Sequence, residues 1–430
     1  VNVDMAKPFN VFGSIQDHGS RKGTVHLNRG RNSIPAVDFE NAPGGEGSNH
    51  EIDPSNPNIV YSAGFYGTIS QTNVKTGERK NIMPKTPDGV DKLRGQWLAP
   101  FILSPHNPKI VYHGTQFVHR SMNQGASWEK ISPDLTYNHA SMKGDIPYQT
   151  IFSLSESPFK FGLLYAGTDD GRIWRTKNGG ADWQEIIKGL PFRKWVSRIV
   201  ASKYNEGVVY MAQNGKRDDD FGVYLWKSED YGDNWTSIAS NLPLGPINVI
   251  REDPVNKEIL YVGTDNGVFV SFNGGLYWET LMGDLPNTYV QDLVIHPRDQ
   301  IMVAATHGRG IWAIDVSHLQ KMNKENLRAA ALFAIEDAQL PRGAGRWYMN
   351  TGKNASISFT MDKRMDITIN IRNKSGQLVK EVKMKADSGL NFYEWNLRDE
   401  NGLVKAGSYK LELKYGTHIM SQSLNVLPYE

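Results

Sequence analysis

Four carboxylates, Asp17, Asp169, Asp170 and Asp265, sit beside glycine in short turns reading IQDHG, GTDDG and GTDNG. Two such groups about 5–9 Å apart across a cleft could hydrolyse a glycosidic bond, one as acid and the other as base or nucleophile. Similar turns carry His18, Tyr66, Gln116, Asn214, Asn266, His307 and Arg309. The connections near them add Arg94, Trp97, Arg193, Lys194 and Trp195. Together these residues could hold a ligand through charged hydrogen bonds and ring contacts. Asp-Gly and Asn-Gly pairs also make hairpins with no ligand at all. That is the plainer reading of Asp169, Asp170, Asp265 and Asn266, whereas no turn requires His18, His307, Arg309, Trp97 or Trp195.

Other chemistries fare less well. A sialidase needs clustered arginines and a tyrosine nucleophile with its base; Arg94, Arg193 and Arg309 could supply the first, but no tyrosine–glutamate pair is evident. The run KRDDDFG from Lys216 could offer Asp218, Asp219 and Asp220 to a structural calcium. Its competing reading is a solvated loop with Phe221 packed inward. There is no HExxH, GxSxG or P-loop.

The elements that must position these residues are repeats. SMNQGASW, TKNGGADW, SEDYGDNW and SFNGGLYW share Ser/Thr-x-Asp/Asn-x-Gly-x-x-Trp: Ser121, Asn123, Gly125, Trp128; Thr176, Asn178, Gly180, Trp183; Ser228, Asp230, Gly232, Trp235; Ser271, Asn273, Gly275, Trp278. The tryptophans are 55, 52 and 43 residues apart, the length of one four-stranded propeller blade with variable loops. The hydroxyl and the Asp/Asn side chain can accept backbone hydrogen bonds within a tight turn. The glycine supplies a positive φ, and the tryptophan can bury a ring between layers. These boxes are read as structure.

A second repeat precedes each box: a Pro/Asn loop, a short apolar run, then a Gly/Asp/Asn turn, as in DPSNPNIVYSAG, SPHNPKIVYHGT and DPVNKEILYVGTDNG. Together the repeats predict an all-β fold: a seven-bladed β-propeller over 1–317, with units starting near Val1, Ser48, Gln96, Tyr148, Trp195, Pro246 and Tyr289. The last unit shows three strands; its fourth could come from around Val1 or from the chain after Ser317. Because strands alternate direction, the turns and connections bearing the candidate residues share one face, and the boxes occupy the other.

Residues 318–349 read as a linker in which KMNKENLRAAAL could form one short helix. From 350 to 430 the sequence alternates apolar and polar residues with hairpin punctuation, as a small Ig-like β-sandwich would. Net charge is +2 with no basic run, which argues against nucleic acid. The absence of cysteine excludes disulfides and thiolate sites, and no stretch approaches the ~20 apolar residues of a membrane helix. The chain opens at Val1 within what reads as a strand, which suggests a processed or truncated product.

The box strings with GTDDG, ISPDLT at Ile131, DDFGVYLWKSEDYGDNW at Asp219 and ATHGRGIWAID at Ala305 resemble the sortilin-like, BNR-repeat (Asp-box) propeller proteins over about residues 1–345. SGQLVKEV, GLNFYEWNLRDENG and AGSYKLEL resemble the Ig-like domain of the flagellar hook-capping protein, FlgD-like. The boxes depart from the family pattern in carrying Asn123, Asn178 and Asn273 where Asp is usual. The resemblance implies a secreted, periplasmic or outer-surface bacterial protein, and fuller members carry a second propeller before the equivalent of Val1. The expected function is non-catalytic: binding a polypeptide or glycan, or packing in a surface assembly. The alternative is a glycoside hydrolase working with an N-terminal propeller or partner chain. No cofactor is expected beyond the calcium candidate.

Overall fold

The computed structural model describes residues 1–25, 39–144, 146–281, 285–323, 325–327, 329–341 and 352–429. It divides into two compact units, Val1–Val316 and Ser317–Glu430.

Among the described residues the first unit is a run of seven small antiparallel meanders, six of four strands and the last of three. Their first strands are Asn2–Val3, His50–Ile52, Phe101–Leu103, Ile151–Glu156, Trp195–Ala201, Ile247–Glu252 and Val290–Ile295. The apolar runs of the second repeat become the second strands, for example Ile59–Ala63, Leu164–Thr168 and Leu260–Thr264, and these are almost wholly buried. Alternation fails there because both faces of each sheet are covered by neighbouring sheets, so a continuous apolar run is needed.

Each sheet packs on the next. Tyr112 and Val118 of the third meet Ile151 and Leu164 of the fourth, and Tyr165 and Ile173 of the fourth meet Val196 and Met211 of the fifth. The circle closes where Phe9 and Val11 pack with Val303. There His296 stacks on Phe9 with centroids 4.3 Å apart, and Arg298 donates to the carbonyls of Met5 (2.9 Å) and Ala6 (2.7 Å). The architecture is a β-propeller. Among the described residues no fourth strand pairs with the seventh sheet; Asn2–Val3 instead pairs within the first.

The recurring glycine at the end of the second strands has a packing cause. A Cβ on Gly114, Gly167 or Gly263 would lie 2.9, 2.3 or 2.8 Å from Ile151, Val196 or Val290, each on the first strand of the next sheet. Only glycine lets the sheets approach this closely.

The four boxes have one geometry. The hydroxyls of Ser121, Thr176, Ser228 and Ser271 accept from the N–H groups of Gly125, Gly180, Gly232 and Gly275 at 2.8–3.0 Å. Asn123, Asn178, Asp230 and Asn273 accept from the backbone four residues on. Asn serves as well as Asp because only a carbonyl-type acceptor is required. Each indole N–H then donates to the preceding sheet: Trp128 to Ile82, Trp183 to Ile131, Trp235 to Ile186 and Trp278 to Ile238, at 2.6–2.8 Å. The expectation that these rings bury between layers is met fully only by Trp278; the other three are half-buried. Ser228→Ala removes one such turn bond and should cost about 1 kcal/mol, read as a shift in the denaturant midpoint.

The second unit pairs a three-stranded sheet containing Ala355–Met361 and Gly389–Trp395 with a five-stranded sheet containing Met365–Asn373, Gly407–Tyr415 and His418–Leu427. Ile357, Phe359 and Met361 on one sheet, and Ile367, Ile369, Ile371, Leu411 and Leu413 on the other, form the core with Trp395. The period-two pattern is therefore a two-layer sandwich. The helix expected within 318–332 is absent among the described residues: the segment holds a single 3-10 turn, Leu319–Lys321, and the short strand Ala331–Leu332. Asn323 and Asn326 bond each other's backbone there, offering the chain an alternative to helix. Residues 342–349 of the expected linker lie outside the described residues.

Candidate functional site

A cavity of about 270 Å³ opens beside the first strands of the fourth and fifth sheets, lined by Tyr148, Asp169, Arg193, Trp195, Arg217 and Asp218, with Met142 and Asn214. Three structural facts build it. Asp169 follows the second strand of the fourth sheet, Trp195 begins the fifth sheet, and the fifth sheet's hairpin carries the inserted charges between Gly215 and Asp220.

Asp169 is buried and both of its carboxylate oxygens accept hydrogen bonds. Its Oδ1 accepts from the Thr150 N–H (2.8 Å), and its Oδ2 from the Thr150 hydroxyl (2.8 Å) and Gln96 Nε2 (2.8 Å). Burial pushes its pKa up to about 7 against the help those donors give the ionised form. A carboxyl raised above its ordinary 3.8 favours folding at low pH and loses that contribution as pH rises through about 7. Asp169→Asn lacks this slope. The stability difference, wild type minus variant, should therefore shrink between pH 5 and pH 8 in paired denaturant titrations.

Trp195 is held between its neighbours. The Arg217 guanidinium lies 4.1 Å from its ring centroid and Phe152 meets it edge to face at 4.9 Å. Its indole N–H is buried without a partner. Arg193 stands at φ +53°, with its guanidinium 5.1 Å from the Tyr137 ring and 5.0 Å from Phe192.

The other sequence candidates go elsewhere. Asp170 is buried under the Thr168 hydroxyl and the Tyr137 N–H (2.8 Å), and burial raises its pKa. Asp265 is paired with Lys216 (3.1 Å) and accepts from Asn248 (3.0 Å). Asp17 is exposed on the first sheet, where its N–H donates to Glu46. Of the four proposed acids only Asp169 lines the cavity. Arg94 is committed to Asp134 (2.8 Å), and its N–H is held by the buried Gln116 amide (2.8 Å). Trp97 packs on Phe65 and Tyr66 of the second sheet. His18 contacts the Gln16 carbonyl, Asn266 donates to Leu244, and His307 stands against Tyr289. Arg309 is exposed, and its carbonyl accepts from Trp312. These residues are distributed around the face rather than gathered.

The calcium candidates also separate. Asp220 is held by Lys194 (2.7 Å), Tyr224 (2.6 Å) and the Gly222 N–H (2.8 Å), and Lys194 foremost lowers its pKa to about 2. Asp218 turns up in the cavity lining, and Asp219 adopts φ +53°. Among the described residues no three His, Asp or Glu side chains converge as metal ligands. Phe221, expected to pack inward, is 52% exposed, because the hairpin that carries it extends beyond the sheet's covered part. Tyr148, Met142 and Arg217 were not anticipated. The available signal was the length of the fifth unit's turn, NGKRDDDFG, against GTDDG and GTDNG in its neighbours.

Residues 346–418 match the family model of the FlgD Ig-like domain. A 161-residue stretch is 29% identical to a xyloglucanase from Paenibacillus sp., covering 33% of this chain and 15% of that protein. Another, of 129 residues, is 27% identical to the vacuolar protein sorting/targeting protein 10 of Coccidioides posadasii (strain C735), covering 27% of this chain and 8% of that one. The matches thus span only a small part of those relatives. Among solved structures, the GH74 xyloglucanase from Xanthomonas campestris aligns with a TM-score of 0.48 at 17% identity, over 72% of this chain and 50% of that one. Among the described residues no helix is long and apolar enough to cross a membrane.

Proposed function

We propose that this is a non-catalytic binding protein acting outside the cell or on its surface, and that the cavity beside Trp195 is the centre of its ligand face. The observation that carries this reading is the pair of guanidiniums at the cavity, Arg193 and Arg217. Neither is paired with a carboxylate among the described residues, while Arg94, Lys194 and Lys216 on the same face are. A rigid ring of sheets with unpaired donors at one opening suits recognition of a polypeptide or glycan. The distant likeness to a xyloglucanase supports the glycan side of that choice.

One observation favours hydrolysis as a second reading. Asp169 and Asp218 line the same cavity, and burial holds Asp169 near neutrality, the condition for a general acid. Against it, both Asp169 oxygens already accept from protein donors, so the group is built to fasten the chain at Gln96 and Thr150. The test is an array of oligosaccharides and peptides scored for both binding and product release. The binding reading expects retention without turnover. Glycan cleavage lost in both Asp169→Asn and Asp218→Asn, with folding intact, would replace it with the hydrolase.

A further inference from the structure

Resting on that ligand face, we infer that its ligand is a polypeptide segment in which an acidic side chain is flanked by apolar ones. Arg193 and Arg217 both line the cavity, and no ion pair joins either to Asp218 or Asp169. Asp169 and Asp218 share that lining, but both Asp169 oxygens already accept from Gln96 and Thr150, so the two guanidiniums are open to a carboxylate from a ligand.

Exposed apolar side chains stand on the segments near the cavity. Phe192 is 69% exposed next to Arg193; beyond the cavity, Phe221 is 52% and Leu244 77% exposed. Two contacts connect the segments that carry them. The Lys194–Asp220 ion pair (2.7 Å) ties the 192–195 connection to the hairpin, and the Gly245 N–H donates to the Phe221 carbonyl (3.0 Å). Exposed apolar side chains beside charged donors are what the apolar residues flanking an acidic side chain would cover. The Trp195 ring within the cavity is not open to sugar stacking, since Arg217 lies over it and Phe152 against it.

The full chain is titrated with short peptides bearing one central Glu between Leu or Phe residues, with their Gln counterparts, and with oligogalacturonate. The expected result is binding of the Glu peptides and about tenfold weakening with Gln. Similar losses are expected in Arg193→Gln, Arg217→Gln, Phe192→Ser and Leu244→Ser, with Lys75→Gln unchanged. Thermal unfolding of each variant confirms that it is folded. Oligogalacturonate binding with the same arginine dependence, and no peptide binding, would overturn the polypeptide assignment. Peptide binding indifferent to both arginines would overturn the acidic anchor while leaving the ligand face standing. Failure of every ligand in the wider array as well would remove the underlying reading.

Discussion

Trp278→Ala should destabilise the propeller by about 3–5 kcal/mol, the range for deleting a large buried aromatic. The ring is 2% exposed and sits in the core between the fifth and sixth sheets with Ile238, Leu242 and Phe269. Its N–H donates to Ile238, and its own backbone N–H and carbonyl are both held by the Asn241 side chain. Removing it leaves a cavity and an unpaired carbonyl in the seam between two sheets. Trp183→Ala keeps the same logic but starts from a half-exposed ring, so it should cost roughly half as much. Equal denaturant midpoints for the two variants would show that the boxes are energetically interchangeable and that burial is not the deciding factor.

Asp292→Ala should cost about 3 kcal/mol, the scale of breaking a largely buried ion pair from one side. Asp292 lies on the first strand of the seventh sheet and binds Arg198 of the fifth (2.9 Å) and Arg251 of the sixth (2.9 Å). Without it Arg198 and Arg251 lose the carboxylate that pairs with both. Burial alone would raise this carboxyl, but Arg198 and Arg251 overcome it and hold the pKa below the ordinary 3.8. The stability it contributes is therefore present above about pH 4 and fades as pH falls below that value. Chemical denaturation at pH 7 and pH 3 should show a large gap between wild type and variant at the first and a reduced one at the second, since the loss is complete only below the folded-state pKa.

The repeats made the propeller legible because each carries its own mechanism. A hydroxyl, an amide or carboxylate acceptor and a glycine at fixed offsets can only close one kind of turn. The Ig-like sandwich was legible from period-two alternation. The candidate cavity is less legible in the sequence, for a physical reason. Asp169, Asp170 and Asp265 are chemically indistinguishable in sequence, yet their roles depend on which donors surround them after folding. Gln96, which completes Asp169's shell, is 73 residues away. Arg217 and Phe221 were read as parts of a solvated or metal-binding loop because a charge run has no intrinsic direction. Only the pairing of Gly215 with Asp220 fixes which side chains face the cavity and which stand free.

The opening beside Trp195 is proposed as the place where the protein meets its ligand. Amide hydrogen exchange on the full chain, with and without the tightest-binding member of the array, tests it most directly. Slowed exchange is expected at Met142 and Tyr148, over Phe192–Trp195 and over Asn214–Phe221, with the box turns at Ser121–Trp128 and Ser228–Trp235 unchanged. Protection confined to the box turns, with none at the cavity, would contradict it.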